Sequence, residues 1–288
     1  MISDITLGQY FPGKSPIHRL DPRTKILLTV LYIVAVFLAN SPIAFLVLAI
    51  SVVSLIFVSG ISLRVILKGI KPIIYVLIFT ALINVFMTKG ESDPLVSFWI
   101  IKIYKEGIIR AVFMALRVVL LIVGTSVLLT YTTSPISLTD GIESLLSPLK
   151  KIGIPVHVFA MMMTIALRFI PTLIEETEKI MNAQKSRGAD FSSGSLVKRA
   201  KALIPLLIPL FVSSFKRADE LAVAMECRCY RGDKNRTKLV KLTYKGIDFI
   251  WFAIGLVFLG AVIYLKIAPQ HLLSLIPEKI CGVVFYKL

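Results

Sequence analysis

A chain of 288 residues with 56% hydrophobic residues and a mean hydropathy of +0.82 carries more apolar surface than the polar shell of a soluble monomer can cover. This excludes an ordinary soluble domain and predicts a multispan membrane protein. The formal charge of +16 then marks cytoplasmic loops facing anionic lipid rather than a nucleic-acid site.

Residues 1–25 are broken by Pro12, Pro16 and Pro22 and lack the basic start, apolar core and cleavage site of a signal peptide, so no cleaved leader is expected. Lys14, Arg19, Arg23 and Lys25 stand beside the first apolar run and predict a cytoplasmic N-terminus. Spans are expected at 26–39, 43–59, 72–88 and 108–131, with Asn40-Ser41-Pro42 as a tight outer turn and Arg64, Lys68 and Lys71 on an inner loop. Within the outer loop 89–107, the patches LVSFW and IKIY read as a small hairpin at the membrane surface. Arg110 reads as an interface anchor. Arg117 lies deeper and needs a partner. Two readings are open for it: a contact to another membrane subunit or flexing helix, and snorkelling or an internal structural partner.

Beyond Tyr131 the composition changes, with 18 Lys/Arg against 10 Asp/Glu over 132–245, which places this region in the cytoplasm after an even number of spans. Residues 138–151 form a short amphipathic pattern interrupted by Pro148. Residues 154–167 are apolar and Met-rich, and predict a helix at the membrane base. In LIPLLIPLFV, 203–212, prolines four apart predict a kinked helix or two separate ones. Two helical patterns, 171–188 and 209–232, form a weak internal repeat. Each has an Ala four residues before a terminal Arg (Ala183 and Arg187; Ala224 and Arg228) and a Gly at or soon after the end. The last span is expected at 247–265, with the tail outside. The fold class is therefore an all-α membrane protein: about five transmembrane helices plus a cytoplasmic module of about three long helices. The expected division is 1–131, 132–245 and 246–288.

Catalytic chemistry is sparse. His18, His157 and His271 do not stand at metal-ligand spacing with another His or an acid. GKS at 13–15 lacks the upstream Gly, strand and helix of a phosphate-binding loop. Cys227, Cys229 and Cys281 give no disulfide framework, and the two thiols of Cys227-Arg228-Cys229 rarely suffice for a metal. Asp248 sits only at a span's edge, so the midspan carboxylates of a proton-coupled carrier are missing. No catalytic residue and no metal ligand are assigned. A self-contained secondary transporter is the alternative reading, which uptake by this chain alone would support.

Several motifs together resemble the transmembrane T component of energy-coupling factor (ECF) importers, the EcfT/CbiQ family. They are HRLDPRTK at 18–25, TTSP at 132–135, SPLK at 147–150, LRFIP at 167–171, AQKSRG at 183–188, AMECRCYRG at 224–232 and RT at 236–237. The resemblance implies a non-catalytic scaffold in a bacterial or archaeal cell membrane. In the family, Ala-Arg-Gly-like helix ends dock onto two cytosolic ABC ATPase subunits that carry ATP and Mg. Matched here, the docking residues are Ala183, Ser186, Arg187 and Gly188, then Ala224, Cys227, Arg228 and Cys229. Both motifs depart from the pattern: Ser186 and Cys227 replace Ala, and Cys229 replaces Gly. That last change questions how the second helix ends, since Cys tolerates positive φ poorly, and leaves Gly232 as a possible stop. A separate membrane S component would bind the vitamin or metal. Met161, Met162 and Met163, with Pro205 and Pro209, offer it adaptable apolar surface, although the methionines fit a core equally well. No cofactor is implied on this chain itself.

Overall fold

The computed structural model describes residues 10–87, 96–98, 101–189, 191, 195–230, 232 and 242–267. The RT motif at 236–237, His271, Cys281 and the tail lie outside the described residues. The architecture is all-α with one small hairpin, and the helices fall into two compact units.

The first unit holds α1 (Pro22–Leu38), α2 (Pro42–Ser59), α3 (Leu63–Ile70), α4 (Ile74–Met87), α5 (Lys105–Thr125) and α9 (Gly246–Ile267). Local chemistry sets its helix starts. Asp21 caps α1 by accepting from the Arg23 N–H at 2.9 Å, and Ser41 caps α2 from the Ala44 N–H at 3.2 Å. Each cap is followed by a proline, whose missing N–H costs nothing in a first turn. Along α1, Leu28, Tyr32, Ala35 and Val36 face the core while Leu27, Val30, Val34 and Phe37 face outward. A helix apolar on both sides suits lipid rather than water. Leu48 and Val52 of α2 and Leu120 and Val123 of α5 complete the centre of this core. Tyr32 donates its hydroxyl to the Leu120 carbonyl at 2.8 Å. Gly124 permits that approach, because a Cβ there would collide with the Tyr32 ring.

Between α4 and α5, β1 (Val96–Phe98) pairs antiparallel with β2 (Ile101–Ile103), Phe98 opposite Ile101. This is the expected hairpin. The inner loop is different: Arg64, Lys68 and Lys71 do not lie on a loop. Arg64 and Lys68 lie on α3, and Lys71 opens the 3-10 turn Lys71–Ile73 that joins it to α4. Spaced four and three residues apart, the three cations form one exposed stripe, while Ile66 is buried. A helix with a cationic side and an apolar one lies naturally in the membrane interface.

Among the described residues, five helical stretches are long and apolar enough to cross a membrane: Pro42–Ser59, Leu63–Met87, Lys105–Thr130, Val156–Ser186 and Gly246–Ile267. The expected first span is shorter. At 17 residues α1 extends about 26 Å, slightly less than the ~30 Å of a hydrocarbon core.

The second unit holds α6 (Pro135–Leu146), α7 (Val156–Ser186) and α8 (Leu196–Cys227), with a 3-10 turn Ser147–Ile152 after α6. Two of its three helices are long. Here the separation read between 154–167 and 171–188 needs correction, and of the two readings of 203–212 the single helix is the one found. The patterns at 154–167 and 171–188 are one 31-residue helix running through Pro171, and α8 runs for 32 residues through both Pro205 and Pro209. An interior proline costs about 3 kcal/mol in a helix, a local cost that is offset where α7 and α8 pack on each other beyond their prolines, as at the Glu176–Arg217 ion pair. The apolar first half of α7, expected at the membrane base, therefore belongs to a stretch long enough to cross the bilayer.

Candidate functional site

The site is built at the far ends of α7 and α8. In α7, the Gly188 N–H donates to the Lys185 carbonyl at 2.9 Å and the Ala189 N–H to Gln184 at 3.0 Å. In α8, the Cys229 N–H donates to Glu226 at 2.8 Å and the Tyr230 N–H to Met225 at 3.0 Å. These are the paired bonds of a Schellman cap, and they occur at equivalent positions of the two helices. The residue after each arginine is left-handed, Gly188 at φ 86° and Cys229 at φ 56°. Cys229 therefore ends its own helix. Gly232, also at positive φ, lies beyond the cap and is not the stop.

Exposure follows the same equivalence. Ala183 and Ala224 are exposed, Gln184 and Met225 half-buried, the next four residues of each tip exposed, and Ala189 and Tyr230 half-buried. Arg187 and Arg228 thus stand in the open at matched positions of matched turns. Ser186 donates its hydroxyl to Asn182 inside its own helix, while both thiols of the second tip are free and exposed. Each arginine sits where the helix dipole is negative, which favours its charge.

Sequence reading missed how the two helices are held together. Arg217 Nη2 of α8 meets Glu176 Oε2 of α7 at 2.9 Å, with the side chains 28% and 29% exposed. These residues are 41 apart, the same offset that relates Arg187 to Arg228. Each member of the pair stands eleven residues before its own arginine, about 16 Å along the helix. The repeat is thereby pinned to itself at an equivalent point, with arms of equal length. Its only sequence signal was the offset, since an acid at one position and a base at its equivalent do not look like a repeat. Beside the pin lies a cavity of about 280 Å³ lined mainly by apolar side chains, including Phe169 and Leu173 of α7 and Leu221 and Met225 of α8. At the other end of α7, Glu143 of α6 lies 2.9 Å from His157 Nδ1. Among the described residues, no group of three or more His, Cys, Asp or Glu is placed to hold a metal.

Comparison with known proteins agrees with this architecture. Residues 13–239 match the family described as "Cobalt transport protein", CbiQ. The energy-coupling factor transporter transmembrane protein EcfT of Clostridium kluyveri is 56% identical over 250 residues, covering 87% of this chain and 92% of the relative. The chain belongs to the CbiQ/EcfT family. EcfT proteins of Thermosediminibacter oceani and Bacillus subtilis are 52% and 47% identical over 264 residues, covering 90% and 92% of this chain and 97% and 98% of theirs. The chain is thus a multi-pass membrane protein of the ECF transporter transmembrane family.

Within this family member the remaining candidate residues are spread along the helices. Met161, Met162 and Met163 lie in the second and third turns of α7, Met162 and Met163 exposed and Met161 half-buried; Pro205 and Pro209 are exposed on α8. None belongs to the buried core. Arg117 has its partner within the chain. Its Nη2 donates to the Ala39 carbonyl at 2.7 Å and approaches Asn40 Oδ1 at 3.4 Å, and its guanidinium lies 5.5 Å over the Phe45 ring. It ties α5 to the turn between α1 and α2 and satisfies a carbonyl at the end of α1.

Proposed function

We propose that this chain is the non-catalytic scaffold of an ECF importer, coupling ATP hydrolysis by two cytosolic ABC ATPases to reorientation of a membrane S component that binds a vitamin or metal. ATP and Mg would sit on the ATPases, with no cofactor on this chain. The N-terminus and 132–245 would face the cytoplasm of a bacterial or archaeal cell, on the strength of their Lys/Arg excess.

The observation that carries the proposal is the matched pair of exposed, arginine-bearing helix caps. Two similar ATPases need two similar handles. Arg187 and Arg228 each offer a planar fork of donors to a carboxylate, a contact with defined direction. Ala183, Ser186, Gly188, Ala224, Cys227 and Cys229 keep the surrounding surface small, so a partner can approach closely. Because α7 continues through Pro171, one helix joins Met161–Met163 to Arg187, about 36 Å along its axis. A push at the arginine is therefore felt at the methionines. These, with Pro205 and Pro209, form the surface proposed for the S component.

Co-purification from membranes tests the docking. The chain is expressed with its candidate ATPase pair and compared with Arg187→Glu, Arg228→Glu and the double variant. Wild type is expected to retain both ATPases, each single change to lower recovery, and the double change to abolish it while the membrane protein stays folded. Unchanged recovery in all three would show that the arginines are ordinary helix ends.

A further inference from the structure

Two stretches link α6–α8 to the remaining helices: the chain leaves after Ser134 and returns at Leu242. Such connections are ordinarily the loosest part of a fold. Here both are gripped by the N-terminal segment, Phe11 together with the HRLDPRTK run at 18–25, with Asp248 of α9 beside it.

At the outgoing connection, Lys25 Nζ donates to the Thr132 carbonyl at 2.8 Å, and Lys25 is only 2% exposed. The Phe11 N–H donates to the Tyr131 carbonyl at 3.0 Å, and the two rings meet edge to face. Tyr131, Thr132 and Thr133 are all buried. At the returning connection, Arg23 Nη2 donates to the Leu242 carbonyl at 3.2 Å while its guanidinium lies 5.0 Å over the Tyr244 ring. The Asp248 carboxylate accepts from the Asp21 N–H at 2.8 Å and from the Lys245 N–H at 2.7 Å. Asp21 caps α1 and Asp248 lies in the first turn of α9, so the cluster is rooted at two helix N-termini where carboxylates are favoured.

Two acids and two bases are thus gathered where desolvation is costly, and apolar residues of similar volume would ordinarily be as stable. What the charges add is direction. Three of their bonds end on main-chain atoms of the connections themselves, the Thr132 and Leu242 carbonyls and the Lys245 N–H. They fix the path of the chain rather than the identity of a neighbouring side chain.

We propose that Arg23, Lys25 and Asp248 are positioning residues for coupling, clamping both connections to the ends of α1 and α9 so that displacement of α6–α8 is delivered to the membrane helices and not absorbed as slack. This inference rests on the coupling role proposed above. It assigns a task to a motif that the docking reading leaves unused.

Hydrogen exchange on the complex with its ATPase pair, nucleotide-free and trapped with ATP and vanadate, tests it. In wild type, trapping is expected to change exchange in α7 and α8 and also in the first turns of α1 and α9. Asp248→Asn keeps the shape but accepts only one of the two N–H bonds. It is expected to retain the ATPases and their hydrolysis, and to raise exchange at both 131–133 and 242–248 by about tenfold. The response of α1 and α9 then disappears while that of α7 and α8 persists. Arg23→Lys keeps the charge and loses the fork, and is expected to show the same pattern more weakly; it decides the matter if Asp248→Asn does not fold. A merely structural role would loosen the connections and leave the trapped-state response of α1 and α9 intact, which overturns the proposal. So does a wild type whose α1 and α9 do not respond. A wild type that fails to retain the ATPases overturns the docking reading and this one together, whereas clamp variants that respond fully with ATPases bound overturn only this one.

Discussion

The tips of α7 and α8 follow the same backbone path with different residues at its most demanding point. Gly188 takes a left-handed conformation at no steric cost; Cys229 takes it with a Cβ that crowds the following carbonyl. Both tips nevertheless make the same two capping bonds and show the same sequence of exposed and half-buried residues. The cap is imposed by its bonding pattern. Glycine lowers the cost of the turn and is not required to form it.

The largest expected effect comes from unpinning the two arms. Glu176→Arg places two guanidinium groups together between α7 and α8. It should lower stability by about 2 kcal/mol, somewhat beyond the worth of a half-exposed pair, because attraction becomes repulsion. The exchanged pair Glu176→Arg with Arg217→Glu should recover most of that loss, read as thermal unfolding in detergent by circular dichroism. A swap that recovers nothing would mean that the pair does not join the arms.

Smaller and opposite effects are expected at the caps. Cys229→Gly should stabilise α8 by about 1 kcal/mol by relieving the left-handed strain, while Gly188→Ala should destabilise α7 by about the same amount. Hydrogen exchange at Ala189 and Tyr230 reports each cap separately. If both substitutions act in the same direction, the tips are not equivalent. Smallest of all are Ser186→Ala and Cys227→Ala, each expected within about 0.5 kcal/mol because both side chains are exposed and the one bond lost, from Ser186 to the Asn182 carbonyl, lies in the open. A larger loss of stability there would show that the tips differ in more than the residue after the arginine.

How far these features were legible varies with how local their causes are. The hairpin patches and the spacing of Ala and Arg at both tips are short-range patterns. The caps at Asp21-Pro22 and Ser41-Pro42 are as local, but Pro22 looks like a break and Pro42 like part of a turn until each is seen to open a helix. The prolines misled because their cost is local while its compensation is not. Pro171 looks like a helix end, and Pro205 and Pro209 like a kink or an end, until the packing of α7 and α8 on each other beyond them is counted. Arg64, Lys68 and Lys71 looked like a loop because their charges were read without their helical spacing. The Glu176–Arg217 pair and the Lys25 to Thr132 bond join residues 41 and 107 apart, which no window of sequence contains.

By itself, then, the sequence determined that the chain spans a membrane, where most of its apolar helices lie, and that two helices carry an arginine to a terminal turn, because hydrophobicity and periodicity act over a few residues. Tertiary structure decided that α7 and α8 run unbroken, that their equivalent residues pin them with equal arms, and that the N-terminal charges grip both connections. Those outcomes depend on which distant groups satisfy one another once water is removed, and only the folded chain brings them within hydrogen-bonding distance.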